Sequence, residues 1–214
     1  MQTPIANEVE AMHAANEGVE NAFTREQALL AANGPPPPLL AVGLPLPNAM
    51  LLNAYGEETT LYAQLASRRA VIVLYRGVWC PYCNLTLRVY QRELVDRLAA
   101  LDSALIAISP QLPDGSLSMR DKYDLSFPVL SDPGNAVARA LGVLTRPSAD
   151  ALEAQRELGL HLDQVNADGT VELPMPSVAV VDAGANLVWL DVHPDYSTRS
   201  EPAEIIAQLT NATR

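Results

Sequence analysis

Two unbroken apolar runs mark the middle of the chain, Ala70 to Tyr75 (Ala-Val-Ile-Val-Leu-Tyr) and Ala104 to Ser109 (Ala-Leu-Ile-Ala-Ile-Ser). Short runs of this kind, rich in β-branched residues and closed by turn formers, predict strands buried on both faces. Between them the apolar positions change period, recurring at Leu87, Tyr90, Leu94, Leu98 and Leu101, which is one face of an amphipathic helix. Gly115 to Tyr123 reads as a short helix, Phe127 to Leu130 as a brief strand, and Asp132 as the cap of a helix facing inward through Val137, Leu141 and Val143. A further helical segment spans Ala149 to Leu160. Ser177 to Asp182 and Asn186 to Asp191, joined through Gly184, then predict an antiparallel hairpin. Ser200 is placed to cap a last helix that carries Glu201 and Glu204 in its first turn and packs through Ile205, Ile206 and Leu209. This alternation predicts an α/β fold, a central mixed β-sheet flanked by helices.

The first part of the chain is patterned differently. Residues 5–32 are rich in Ala and Glu with sparse apolar positions, Val9, Met12, Val19, Phe23, Leu29 and Leu30, and predict one or two weakly amphipathic helices packed on the outside. Gly34 followed by Pro35 to Pro38 ends them, because successive prolines favour an extended chain without amide donors. Residues 1–38 are therefore expected to form a helical extension with a proline linker, and residues 39–214 the domain. Leu39 to Leu52, broken by Pro45 and Pro47, suits an edge strand or extended lead-in, and Thr59 or Thr60 a cap for a short helix with Leu61, Leu65 and Ala66.

Charge narrows the partners. A net charge of −11 and a pI near 4.6 over 214 residues argue against nucleic acid or an anionic membrane surface. The N-terminus has no basic segment before Arg25 and no apolar stretch of membrane-spanning length occurs, so a cytoplasmic protein is expected.

Candidate chemistry concentrates in one place. Both cysteines lie in Tyr75-Arg76-Gly77-Val78-Trp79-Cys80-Pro81-Tyr82-Cys83, where the first strand hands over to the amphipathic helix. With Cys80 as N-cap, Pro81 falls at the first helical position, where its missing N–H is no loss, and Cys83 at the third. The Cys80 sulfur is then expected to accept the Cys83 N–H at the positive end of the helix, a more exposed and more acidic thiol than Cys83. Cys83, one turn in, is near enough to resolve a mixed disulfide or sulfenic acid. A redox dithiol outweighs a structural disulfide, whose loop would be too short to constrain the unfolded chain, and half a zinc site, for which His13, His161 and His193 lack zinc-finger spacing. No cofactor is implied.

Trp79-Cys80-Pro81-Tyr82-Cys83 after a buried strand, with Pro176 just before a later one, resembles the thioredoxin fold, in which the dithiol faces a cis-proline; the Pro-Tyr pair is similar to glutaredoxins. More widely, Val71 to Leu101, Ala104 to Ser109, Phe127 through Ser131-Asp132-Pro133 to Val143, and Val178 to Asp182 with its hairpin resemble the peroxiredoxins, the alkyl hydroperoxide reductase and thiol-specific antioxidant proteins. The resemblance covers about residues 40 to 210. That family carries Tyr-Pro, a threonine, two residues and the peroxidatic cysteine. Registered on Tyr75, Arg76 takes the place of the proline, Cys80 of the threonine and Cys83 of the peroxidatic cysteine. Pro176 stands where the family has an arginine before the later strand, and Arg199-Ser200 matches a second arginine-serine. The chain thus resembles atypical, C-x-x-C-bearing members.

The resemblance implies a thiol peroxidase that reduces hydroperoxides through a Cys80/Cys83 disulfide cycle and is re-reduced by thioredoxin or a glutathione-like thiol, with a homodimer among the assemblies open to it. The altered positions suit instead a general thiol-disulfide oxidoreductase acting on protein or glutathione disulfides, and a non-enzymatic redox sensor or binding module is the third reading. Around the dithiol, Arg76 suits either thiolate or peroxide stabilisation or a surface salt bridge. Trp79 suits either a docking surface or half-buried packing. Arg199 reads as structural ahead of a thiolate-supporting role, and His161 and His193 as ordinary surface residues ahead of catalytic bases. Met175-Pro176 is expected to be cis opposite the dithiol, with the Met175 backbone open to an extended substrate or donor segment.

Overall fold

The computed structural model describes residues 4–14, 21–35 and 38–211. Helices α1 (Pro4–Ala14) and α2 (Ala22–Asn33) open the chain. Strands β1 (Met50–Leu52) and β2 (Glu58–Thr60) form a hairpin through the Asn53 to Gly56 turn, and Thr60 caps α3 (Leu61–Leu65) by accepting the Ala63 N–H at 3.2 Å. Then follow β3 (Arg69–Leu74), α4 (Pro81–Glu93), α5 (Val95–Ala100), β4 (Ser103–Ser109), α6 (Pro113–Tyr123), β5 (Val129–Ser131) and α7 (Ala136–Leu141). A ribbon of β6 (Leu144–Thr145) and β7 (Leu173–Pro174) encloses α8 (Ala149–Glu157) and α9 (Leu162–Val165). The chain ends in β8 (Ser177–Val181), β9 (Leu187–Val192) and α10 (Pro202–Asn211).

The main sheet has seven strands in the order β2-β1-β5-β4-β3-β8-β9. β3, β4 and β5 run parallel and the remaining pairs antiparallel, so the sheet is mixed, as the alternation predicts. Because successive side chains point to opposite faces, β3 serves two cores. Val71, Val73 and Tyr75 pack on the side of α4, α6 and α10, with Leu87, Tyr90, Met119 and Ile205. Ala70, Ile72 and Leu74 pack on the other side with Leu61, Leu65, Val137 and Leu141 of α3 and α7.

Some predicted elements differ in detail. The long helix over 87–101 is divided at Leu94 into α4 and α5, both keeping their apolar face inward. Ser200 does not cap α10; its hydroxyl donates to Asp191 at 2.7 Å, and the Glu201 carbonyl takes the first helical N–H groups. The Glu201 carboxylate instead accepts the N–H groups of Ile5 and Ala6, capping α1 and tying it to the domain. The hairpin β1–β2 extends the sheet beyond the predicted order, because its segments are too short to show a period. Of the predicted proline linker, Pro36 and Pro37 lie outside the described residues.

Candidate active site

The site begins where β3 runs out. Tyr75 still donates its N–H to Ile108 of β4 at 3.0 Å, and the chain then turns at Gly77, φ +152°. A Cβ there would lie 2.5 Å from Trp79 Nε1, so only glycine leaves room for the indole. Two amide side chains fix the loop: Gln111 accepts the Val78 N–H at 2.8 Å and donates to the Tyr75 hydroxyl at 3.0 Å, and Asn84 donates to the Val78 carbonyl at 2.9 Å. Cys80 is the N-cap of α4, Pro81 the first helical residue and Cys83 the third.

The thiols differ from expectation in two respects. Cys80 makes no side-chain cap bond, and it is not exposed: Cys80 and Cys83 are unpaired thiols 2% and 1% accessible. Their electrostatics then separate them. Burial pushes the Cys80 thiol up, and donating its S–H to Cys83, together with the Cys83 charge, pushes it further, against the opposing fields of Arg76 and Arg199. Burial acts on Cys83 too, but the Cys80 S–H, the Arg199 guanidinium and the Arg76 backbone N–H all favour its charged form and bring it below the ordinary thiol range. Arg199 Nη2 lies 3.5 Å from Cys83 Sγ. Charge therefore collects on Cys83, with Cys80 as its hydrogen-bond donor, the reverse of the order argued from the helix cap.

Arg76 is no surface salt bridge. It is buried, its guanidinium 4.1 Å from the centre of the Tyr196 ring and 5.1 Å from that of Trp79. Trp79 is half-buried against the α4-side core, its indole N–H without an acceptor among the described residues. Pro81 is exposed, while Tyr82 is half-buried, 6.3 Å from the Tyr196 ring and hydrogen-bonded to Gln27 of α2. Met175 and Pro176 line a cavity of about 10 Å³, room for one water, with Arg76, Tyr196 and Glu26; no cysteine sulfur borders it. The Met175 backbone is not open to a partner. Its N–H donates to Val143 at 2.8 Å and its carbonyl accepts the Ser177 hydroxyl at 2.7 Å.

Residues that sequence reasoning passed over complete the surroundings. Tyr196 is 6% exposed and donates its hydroxyl to the Phe23 carbonyl of α2. Glu26, on the same helix, is 4% exposed; one carboxylate oxygen accepts the Ser148 N–H at 2.8 Å, and the other has no partner among the described residues. So α2 closes one edge of the site. His193 is half-buried rather than a surface residue, and lines a second cavity of about 10 Å³ with Cys83, Tyr90 and Arg199. Nothing in the local pattern around Gln111, Tyr196 or His193 marks them, since each reaches the dithiol only through the fold.

The model of the AhpC/TSA family matches residues 42–189. Two bacterial relatives that carry the name peroxiredoxin align with about half of the chain. One, from Mycobacterium tuberculosis, is 31% identical over 103 residues, 48% of this chain and 64% of its own length. The other, the bcp protein of Haemophilus influenzae, is 30% identical over 104 residues, 49% of this chain and 66% of its own. The chain thus spans less than two thirds of these relatives. The crystal structure of peroxidoxin BcpB from Mycobacterium tuberculosis superposes with a TM-score of 0.61 over 82% of this chain and 99% of that one, at 17% identity, a likeness of fold.

Proposed function

The chain belongs to the AhpC/TSA family, and from that premise we propose that it is a thiol peroxidase in which Cys83 meets the hydroperoxide and Cys80 resolves the product. The observation that carries the assignment is the convergence of Arg199, the Arg76 N–H and the Cys80 S–H on one sulfur. The Cys83 thiolate attacks the terminal peroxide oxygen; an S–O bond forms, the O–O bond breaks, and the leaving alkoxide takes a proton, for which the Cys80 thiol is the adjacent donor. Cys83 is now a sulfenic acid. The Cys80 thiolate attacks its sulfur, hydroxide leaves and takes a proton from solvent to become water, and a Cys80–Cys83 disulfide results. A dithiol donor of the thioredoxin type, or two monothiols, returns the two electrons. Arg199 also faces the developing charge on the departing oxygen.

The Cys-Pro-Tyr-Cys sequence favours a second reading, thiol-disulfide exchange with protein or glutathione disulfides. The internal pairing of the Met175 backbone weighs against a polypeptide substrate bound there as an added strand. Peroxide treatment of Cys80→Ser and Cys83→Ser in the presence of a sulfenic-acid trap, with the adduct located by mass spectrometry, tests the assignment. The adduct should form on Cys83 in Cys80→Ser. An adduct confined to Cys80 in Cys83→Ser would reverse the roles, and disulfide turnover without any peroxide consumption would favour the second reading.

A further inference from the structure

Arg199 reaches Cys83 from a tight turn, and that turn is fastened by a side chain outside the dithiol. His193 follows β9 and bonds at both ring nitrogens: Nδ1 to the Thr198 hydroxyl at 2.8 Å and Nε2 to Asp191 at 3.0 Å, with the Ser200 hydroxyl 3.2 Å from Nε2. Both hydroxyls are bonded onward as well. Thr198 donates to the Asp195 carbonyl at 2.9 Å and Ser200 donates to Asp191 at 2.7 Å. A carboxylate has no hydrogen to give, so Nε2 is the donor to Asp191, while Nδ1 shares a hydrogen bond with the Thr198 hydroxyl. Thr198 and Ser200 flank Arg199, whose Nη1 is spent on the Tyr196 and Thr198 carbonyls while Nη2 is left for Cys83.

We propose that His193, paired with Asp191, is a positioning residue that holds the Thr198-Arg199-Ser200 turn so that the Arg199 guanidinium rests on the Cys83 sulfur. Loss of either hydrogen bond frees one side of the turn, and the guanidinium follows it. The other ionisable groups facing this cluster are Asp191 on β9, Asp195 through Thr198, Arg199 in the turn, Tyr90 of α4 through its hydroxyl on the Ser200 carbonyl, and Glu201 just beyond. Asp191 is held below the ordinary carboxylate range, first by its bond to His193.

The inference rests on Cys83 as the reacting thiol, but its test needs no peroxide. In full-length Cys80→Ser protein, the pH profile of Cys83 alkylation by iodoacetamide is followed by mass spectrometry. Adding His193→Gln should move the midpoint upward by about one unit, an about tenfold slower reaction on the acid limb, with the alkaline plateau unchanged. Thr198→Val, which keeps the histidine and removes one anchor, should move it in the same direction. On an Arg199→Gln background, His193→Gln should add little, because the two act in series. An unmoved midpoint in both variants, or a full additional shift on the Arg199→Gln background, would overturn the proposal. Loss of sulfenic acid on Cys83 with the midpoint shift intact would overturn the peroxidase reading alone.

Discussion

The hydrogen bond from Cys80 to Cys83 separates two functions of one side chain, donor and resolving thiol, and substitution can take them apart. Cys80→Ser removes the resolving sulfur and leaves an O–H in its place; Cys80→Ala removes both. In each variant Cys83 is the only cysteine, so its titration is read without a coupled partner. A hydrogen bond to a charged group contributes about 1.5–3 kcal/mol, and one pKa unit corresponds to about 1.4 kcal/mol. The Cys83 midpoint should therefore lie roughly one to two units higher in Cys80→Ala than in Cys80→Ser. The site is 2% exposed, which leaves water little room to replace the lost donor. The assay is the ultraviolet absorbance of the thiolate against pH, with alkylation kinetics as a second readout. Linkage gives an independent check of sign. Because folding lowers the Cys83 value, its contribution to stability is present above the unfolded thiol pKa and is lost as pH falls through the folded one. The alanine variant should lose less on acidification. Equal midpoints in the two variants would refute the claim that Cys80 acts as a donor to a Cys83 thiolate.

Three other perturbations test the surroundings. Asn21 caps α2 through the N–H groups of Phe23 and Thr24, so Asn21→Ala should loosen that helix by about 1 kcal/mol and raise the alkylation of the buried thiols by a bulky maleimide roughly fivefold; an unchanged rate would mean that α2 does not govern access. Gly77→Ala sets a methyl against the Trp79 indole and should displace it, measurable as a change in tryptophan fluorescence together with a lower Tm. Burial pushes Asp132 up to about 6 despite the N–H groups of Ala136 and Val137 on its oxygens. Its contribution is therefore complete below the unfolded carboxylate value and is lost as pH rises through about 6, at most about 3 kcal/mol. Denaturant titrations of Asp132→Asn should lack that part of the pH slope, and an identical slope in both proteins would exclude Asp132 as its source.

What the chain discloses by itself follows from how far each feature depends on local periodicity. β3 and β4 are unbroken apolar runs because both faces are covered, and α4 announces itself by the change of period at Leu87; both are legible wherever burial is regular. β1 and β2 are three residues each, and their pairing follows from the turn between them and from β5, a contact that no short window contains. The dithiol was legible because its two members are neighbours. Its electrostatics were not. The guanidinium on Cys83 comes from 116 residues away, and the histidine bonded to the residues on either side of Arg199 stands six residues before it at the preceding strand end.

The site also explains why two arguments from the same residues disagreed about the reacting cysteine. The helix-end argument treats Cys80 as an exposed cap, where the dipole favours its charge. That holds only if water reaches the sulfur, and burial on this scale raises an unpaired thiol more than half a unit charge at a helix end lowers it. Registered on the family, Cys80 occupies the place of a threonine, a residue whose hydroxyl hydrogen-bonds to the neighbouring sulfur, and its S–H here donates in that sense. Likewise Pro176 takes the place of an arginine, yet a guanidinium still reaches Cys83, supplied by Arg199. The two substitutions thus retain what a thiolate needs, a nearby donor and a nearby cation, and on the proposed assignment they convert the donor into a group that also attacks a sulfenic acid. A thiol in the threonine position gives one side chain both tasks, and a protein so built needs no third element to bring a resolving cysteine to the site.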